Sequence, residues 1–208
     1  METIKKHLAS KLLQINAIKF NPEQPFTWAS GIRSPIYCDN RLTLSYPDVR
    51  NLICTGFQAL AEPLEYDLIA GVATGGIAHG MLLADRLEKP FIYIRSASKG
   101  HGLQNAIEGK LDPGAKVLVI EDLISTGGSS MKAIQAVQDA GGIVTDLLAI
   151  SSYGFAVASE LFSAHGVNVS VLTDYNTLVE VGIRENFISA QAEATLSAWN
   201  KDPENWFK

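Results

Sequence analysis

Residues Val117–Ser130 read VLVIEDLISTGGSS, and this stretch decides the fold. Four apolar residues make a buried strand, Glu121 and Asp122 stand at its end, and a small, hydroxyl-rich turn leads into a helix that continues through Met131, Ile134 and Val137. A helix N-terminus presents unpaired backbone N–H groups and a partial positive charge, which suits a phosphate. Gly127 and Gly128 let the backbone wrap closely around that anion, and Ser125, Thr126 and Ser129 add hydroxyl donors. Glu121 and Asp122 would repel a phosphate placed on them but suit a neighbouring diol, whose two hydroxyls donate. An acid pair followed by a phosphate cradle describes a ribose 5-phosphate held lengthwise along the turn. Acids at a strand end before a Ser/Thr cap are common in α/β proteins; the whole fourteen-residue pattern is not. The chain has no GxxxxGKS/T and no GxGxxG after a strand, so the triphosphate and dinucleotide motifs are excluded.

On either side of this stretch, strands alternate with helices. Upstream, apolar spacing predicts a helix over Val49–Leu60, a strand at Asp67–Gly71 (DLIAG), a helix over Ile77–Leu87 and a strand at Phe91–Ile94 (FIYI). Ser96–Gly109 has no clear apolar period and contains three glycines, which predicts a mobile loop. Downstream, Gly141-Gly142 stops a helix, Val144–Ile150 and Val169–Leu172 read as strands, and a short helix near Ser189–Trp199 follows. Apolar strands alternating with helices predict a parallel sheet covered on both faces, with ligands at the carboxyl ends of its strands. The loops to search follow Gly71, Ile94, Ile120 and Ile150. Before this body come a helix from Ile4 to Ile15 and short extended pieces around Ala17–Phe20, Phe26–Trp28 and Pro35–Cys38, suited to a hood.

Length and composition bound the function. The 208 residues, 47% hydrophobic and 19% charged, suffice for one well-buried domain and not for two. A net charge of −5 argues against general nucleic-acid binding, while a few placed cations still permit a small anionic substrate. Cys38 and Cys54 form neither a disulfide framework nor a zinc motif, which fits a reducing compartment. With no signal-like N-terminus and no apolar run near the roughly 20 residues that span a bilayer, the expectation is a soluble, cytoplasmic protein.

VLVIEDLISTGGSS closely resembles the phosphoribosyl pyrophosphate signature of type I phosphoribosyltransferases. The resemblance implies that Glu121 and Asp122 hold the ribose 2′- and 3′-hydroxyls and that Leu123, Ile124, Ser125, Thr126, Gly127, Gly128 and Ser129 wrap the 5′-phosphate. GVATGGIAHG resembles the family's pyrophosphate loop, with Ala73, Thr74, Gly75 and Gly76 approaching the diphosphate through the backbone. FTWASGIRSPIYCDNR, Phe26–Arg41, is similar to the hood of the orotate-specific branch, whose pattern is F-T-x-x-S-G-x-x-S-P-x-Y. RSASKGHG, Arg95–Gly102, resembles that branch's catalytic loop and assigns Arg95, Lys99 and His101 to the substrate's diphosphate, with Lys99, His101 and Asp122 as the catalytic set.

The resemblance runs from about Phe20 to Tyr175 without a large insertion. It implies an α/β fold with a central parallel sheet, one domain over residues 1–208, a hood drawn mainly from residues 1–45, and a mobile loop over 96–109. The implied reaction transfers the phosphoribosyl group to orotate, with Mg²⁺ held mainly by the substrate and a homodimer sharing its active sites. Ser125 and Tyr37 are the residues implied beside orotate. Neither nucleic acid nor a membrane is an expected partner. The pattern departs at Ala29, Thr74-Gly75, Ser96 and Tyr153, where the better-known members carry Lys, Tyr-Lys, a second loop Lys and Arg. The holder of the orotate carboxylate therefore stays open among hood N–H groups, Arg33 and Arg41. Two other functions remain at this point: transfer to another nucleobase, and a non-catalytic sensor of phosphoribosyl pyrophosphate.

Overall fold

The computed structural model describes residues 2–28, 31–95 and 106–206. Helix α1 (Glu2–Gln14) is followed by four short strands, β1 (Ile18–Phe20), β2 (Phe26–Thr27), β3 (Arg33–Ser34) and β4 (Ile36–Cys38), and a 3-10 turn at Asn40–Ser45. Then come α2 (Pro47–Ala61), β5 (Leu68–Val72), α3 (Gly75–Leu87), β6 (Phe91–Ile94), β7 (Ile107–Glu108), β8 (Lys116–Ile124) and α4 (Gly128–Asp139). The remaining elements are β9 (Ile143–Ser152), α5 (Ala156–Ala164), β10 (Asn168–Asp174), α6 (Tyr175–Arg184) and α7 (Glu193–Lys201).

Six strands form the central sheet in the order β10-β9-β8-β5-β6-β7. Neighbours are parallel from β10 through β6, and β7 joins antiparallel at the edge, pairing Glu108 with Tyr93 and Ile107 with Ile94. Side chains alternate across a strand, so a sheet covered on both faces needs apolar residues at every position. β5 meets this: all five of its residues are buried. Ile69, Leu118, Ile120 and Leu148 share one core with Leu8, Leu12, Ile53, Phe57 and Leu83 of α1, α2 and α3. Leu68, Ala70, Val119 and Leu147 share the other with Ile134, Val137 and Phe162 of α4 and α5. Two small antiparallel ribbons, β1–β4 and β2–β3, form the hood. Among the described residues no helix is long and apolar enough to cross a membrane.

The elements differ from expectation at five places. Glu121 and Asp122 lie within β8, not beyond it, because β9 pairs with the strand as far as Ile124. Residues 107 and 108 of the expected loop are strand, held by the main-chain ladder to β6 and not by any apolar period of their own. Helix α1 belongs to the body and not to the hood, since Leu8, Leu12 and Leu13 are buried in the core beside the sheet. Helix α3 begins at Gly75, two residues early. Helices α5 and α6 were not expected. The first is only nine residues long and buries just Ala158 and Phe162, too few positions to set up a period. The second begins at the very end of β10, where Asp174 caps it by accepting the Thr177 N–H at 2.9 Å.

Candidate active site

The carboxyl ends of β5, β6, β8 and β9 lie at the same end of the sheet, as parallel strands require. After β8, the turn Ser125–Gly127 enters α4 through Gly127, whose φ of +80° is the left-handed conformation that glycine adopts without strain. No side chain caps this helix, and nothing lies within 4 Å of the position a Cβ would take on Gly128. The first turn of α4 is therefore an open backbone cradle, chemically matched to a phosphate.

The two acids do different work. Alternation sends Glu121 toward α4, where its carboxylate is buried and accepts a hydrogen bond from Ser130 Oγ at 2.9 Å. Asp122 lies on the α3 side, partly exposed. Burial, then the negative charge of Asp122, push the Glu121 carboxyl well above the ordinary carboxylate range. Asp122 is thus the more accessible acceptor for a diol, and Glu121 is the anchored member.

Gly75 and Gly76 bring the β5 loop against this pair. A side chain on Gly75 would collide with the Asp122 carboxyl, and one on Gly76 with the Ile120 carbonyl oxygen. Neither glycine has positive φ. What they supply is space for α3 to lie on β8. Ala73 and Thr74 lead into them, joined by a cis peptide, and the Ala73 N–H donates to Ile94 O at 2.8 Å.

Arg95 stands at the end of β6 with its guanidinium on Glu108 at 2.8 Å, and its N–H donates to Ala106 O at 2.8 Å. Lys99, His101 and Ser96 lie outside the described residues. Tyr37 is exposed with its ring against Phe26, at 5.6 Å between centroids, and is not among the residues that form the cleft around Ser125. Arg41 is committed to Asp39 by two hydrogen bonds of 2.7 and 3.0 Å.

Hood and body are joined by residues whose roles the sequence did not signal. Asn40 Nδ2 donates to the Asp122 carbonyl at 2.8 Å and to Ser151 Oγ at 3.1 Å, which fixes the backbone of the acid pair. Trp28 stacks on Tyr153 with ring centroids 5.3 Å apart. Trp199, fully buried, meets both edge-on and donates from Nε1 to the Arg33 carbonyl at 3.1 Å. Cys38 sits in the same cluster, where burial pushes its thiol up to about 12. A cleft of about 420 Å³ opens between Trp28 and Ile32 of the hood, Ser125 and Thr126 of the phosphate cradle, and residues 200–204 after Trp199.

An open helix N-terminus after an acid pair, with a glycine-lined loop packed beside it on a hooded parallel sheet, is the architecture of a type I phosphoribosyltransferase. The family model described as "Phosphoribosyl transferase domain" matches residues 50–169. An "Orotate phosphoribosyltransferase" of Listeria monocytogenes serotype 4b is 48% identical, covering 99% of this chain and 100% of that one. Among solved structures, orotate phosphoribosyltransferase from Aeropyrum pernix superposes with a TM-score of 0.75 at 31% identity, covering 83% of this chain and 96% of that one. Leishmania donovani UMP synthase superposes with a TM-score of 0.82 at 26% identity, covering 94% of this chain and 42% of that one. The chain belongs to the orotate phosphoribosyltransferase family, and is an enzyme of that class.

Proposed function

We propose that the chain transfers the 5-phosphoribosyl group from phosphoribosyl pyrophosphate to orotate, giving orotidine 5′-monophosphate and pyrophosphate. The observation that carries this reading is the packing of Gly75 against Asp122, which joins the glycine loop to the ribose-phosphate loop in one site. The 5′-phosphate lies at the first turn of α4, among the N–H groups of Thr126–Ser129. Asp122 accepts from the ribose hydroxyls, with Glu121 behind it. The diphosphate lies along Ala73–Gly76, toward Arg95. The base enters the cleft between Ser125 and the hood.

Displacement at the ribose C1 builds positive charge on the sugar and negative charge on the leaving diphosphate. The chain needs no nucleophile of its own. Arg95, Lys99 and His101 stabilise the leaving group, and the hood excludes water from the developing cation. Mg²⁺ would be held mainly by the substrate's own diphosphate and ribose oxygens, and would supply neutralisation of part of the diphosphate's charge. The working unit is a homodimer in which Lys99 and His101 reach the neighbouring subunit's site, as a two-fold interface allows reciprocally. Residues 1–208 act as one domain. A cytoplasmic setting accords with Cys38 and Cys54, both unpaired.

The test is the loss of orotate absorbance on mixing protein, Mg²⁺, orotate and phosphoribosyl pyrophosphate, with guanine, adenine and uracil in parallel. Turnover restricted to orotate supports the assignment. Turnover only with another base keeps the ribose-phosphate site and overturns the choice of base.

A further inference from the structure

The cleft beside Ser125 has an unusual third wall. Trp28 and Ile32 come from the hood and Ser125 and Thr126 from the phosphate cradle, but Asn200, Lys201, Asp202, Pro203 and Glu204 come from the end of α7 and the turn beyond it. Three contacts hold that wall in place. Trp199 is buried under the hood with its indole N–H on the Arg33 carbonyl. Asn200 Nδ2 donates to the Tyr153 carbonyl at 2.7 Å, at the end of β9. The Asp202 N–H closes the helix on Ala198 and Trp199.

Lys201 is the one cationic side chain among the described residues lining this cleft. It makes no ion pair with any described residue. The two acids on the same wall do not neutralise it. Asp202 turns to the Asn205 amide, accepting at 3.0 and 3.1 Å, and Glu204 is exposed. Of the two hood arginines, Arg41 is bound to Asp39, and Arg33 lies on β3, not among the residues lining this cleft. The base proposed above carries a carboxylate, and an anion taken into a cleft must meet a cation or a set of donors.

We propose that Lys201 is a specificity-determining residue that pairs with the carboxylate of the base, on a wall positioned by Trp199 and Asn200. This rests on the orotate reading above. It assigns to the segment after α6 a part of the substrate site, where the first 175 residues carry the ribose, phosphate and diphosphate loops.

The test compares wild type with Lys201→Met and Lys201→Arg, measuring KM for orotate, KM for phosphoribosyl pyrophosphate and thermal midpoint. Loss of a charge-assisted contact predicts that Lys201→Met raises KM for orotate about 10-fold, with KM for phosphoribosyl pyrophosphate and the midpoint unchanged. Lys201→Arg should recover most of the orotate affinity. Orotate affinity within threefold of wild type in Lys201→Met overturns the proposal. So does a parallel rise in both KM values, or a Lys201→Arg variant as weak as Lys201→Met. Wild type that turns over a different base and not orotate overturns the underlying reading instead, and the wild-type arm alone reveals it.

Discussion

Ser130 Oγ donates to the Glu121 carboxylate across 2.9 Å, tying strand β8 to the first turn of α4. The two ends of the phosphate cradle are thereby held together by a buried acid. Burial and the neighbouring Asp122 raise the Glu121 carboxyl from its ordinary 4.5, while the Ser130 bond opposes the rise by favouring the charged form.

This gives a pH dependence of known sign. A carboxyl whose folded pKa is raised binds a proton in the native state that the unfolded chain has released, so its contribution to stability is complete below about 4.5 and is lost as pH rises through about 8. Wild type is therefore expected to lose stability between pH 5 and 8. Glu121→Gln should flatten that decline, and Ser130→Ala should steepen it, at a cost of ~1 kcal/mol at pH 8. Thermal denaturation at both pH values checks all three.

Gly75 and Gly76 should separate function from folding. Alanine at 75 strikes the Asp122 side chain, which can turn aside, so kcat/KM is expected to fall by about 10-fold or more with little change in thermal midpoint. Alanine at 76 strikes the Ile120 carbonyl, which cannot move without breaking the sheet, and is expected to cost ~2–3 kcal/mol. Equal losses of stability in the two variants would refute this division.

Asn40 is expected to act on Asp122 through its backbone. Asn40→Ala removes donors from the part-buried Asp122 carbonyl and from the buried Ser151 Oγ, and should destabilise the protein by ~1–3 kcal/mol. KM for phosphoribosyl pyrophosphate should rise with it. Urea denaturation and steady-state kinetics on the same preparation measure both effects.

Lys99→Ala is expected to lower kcat by about 100-fold or more without unfolding the chain, as for loss of a cation at the leaving group. Mixing Lys99→Ala chains with Asp122→Ala chains should restore part of the activity, because a hybrid dimer retains one intact site. Mixed dimers without recovery would argue against shared sites.

Much of this was legible in the sequence, for a physical reason. The cradle over Val117–Ser130 is local: its strand, glycines, hydroxyls and helix all fall within one short segment, so spacing alone exposes it. The parallel sheet was legible because strands covered on both faces are apolar throughout. Interactions that join distant segments were not. Asn40 meets Asp122 across 82 residues, and nothing in the neighbourhood of either announces the other. Trp199 carries no local sign of its place, since its partners Trp28 and Tyr153 come from two remote parts of the chain. Ser130 lay in plain view within the motif, but its use depends on Glu121 turning toward α4, which only the strand's full length determines.

The place of Trp199 beneath the hood also sets an order in time. Synthesis runs from the N-terminus, and domains assemble as their parts emerge. By the time β9 has left the ribosome, the turn into α4 and the β5 loop that packs on Asp122 are already made. The hood, made far earlier, still lacks the indole it rests on and the Asn200 amide that meets Tyr153. A nascent chain thus holds the loops at the end of the sheet before it holds the wall that Trp199 and Asn200 position. The helix that carries Trp199 is made long after the hood strands and closes over them.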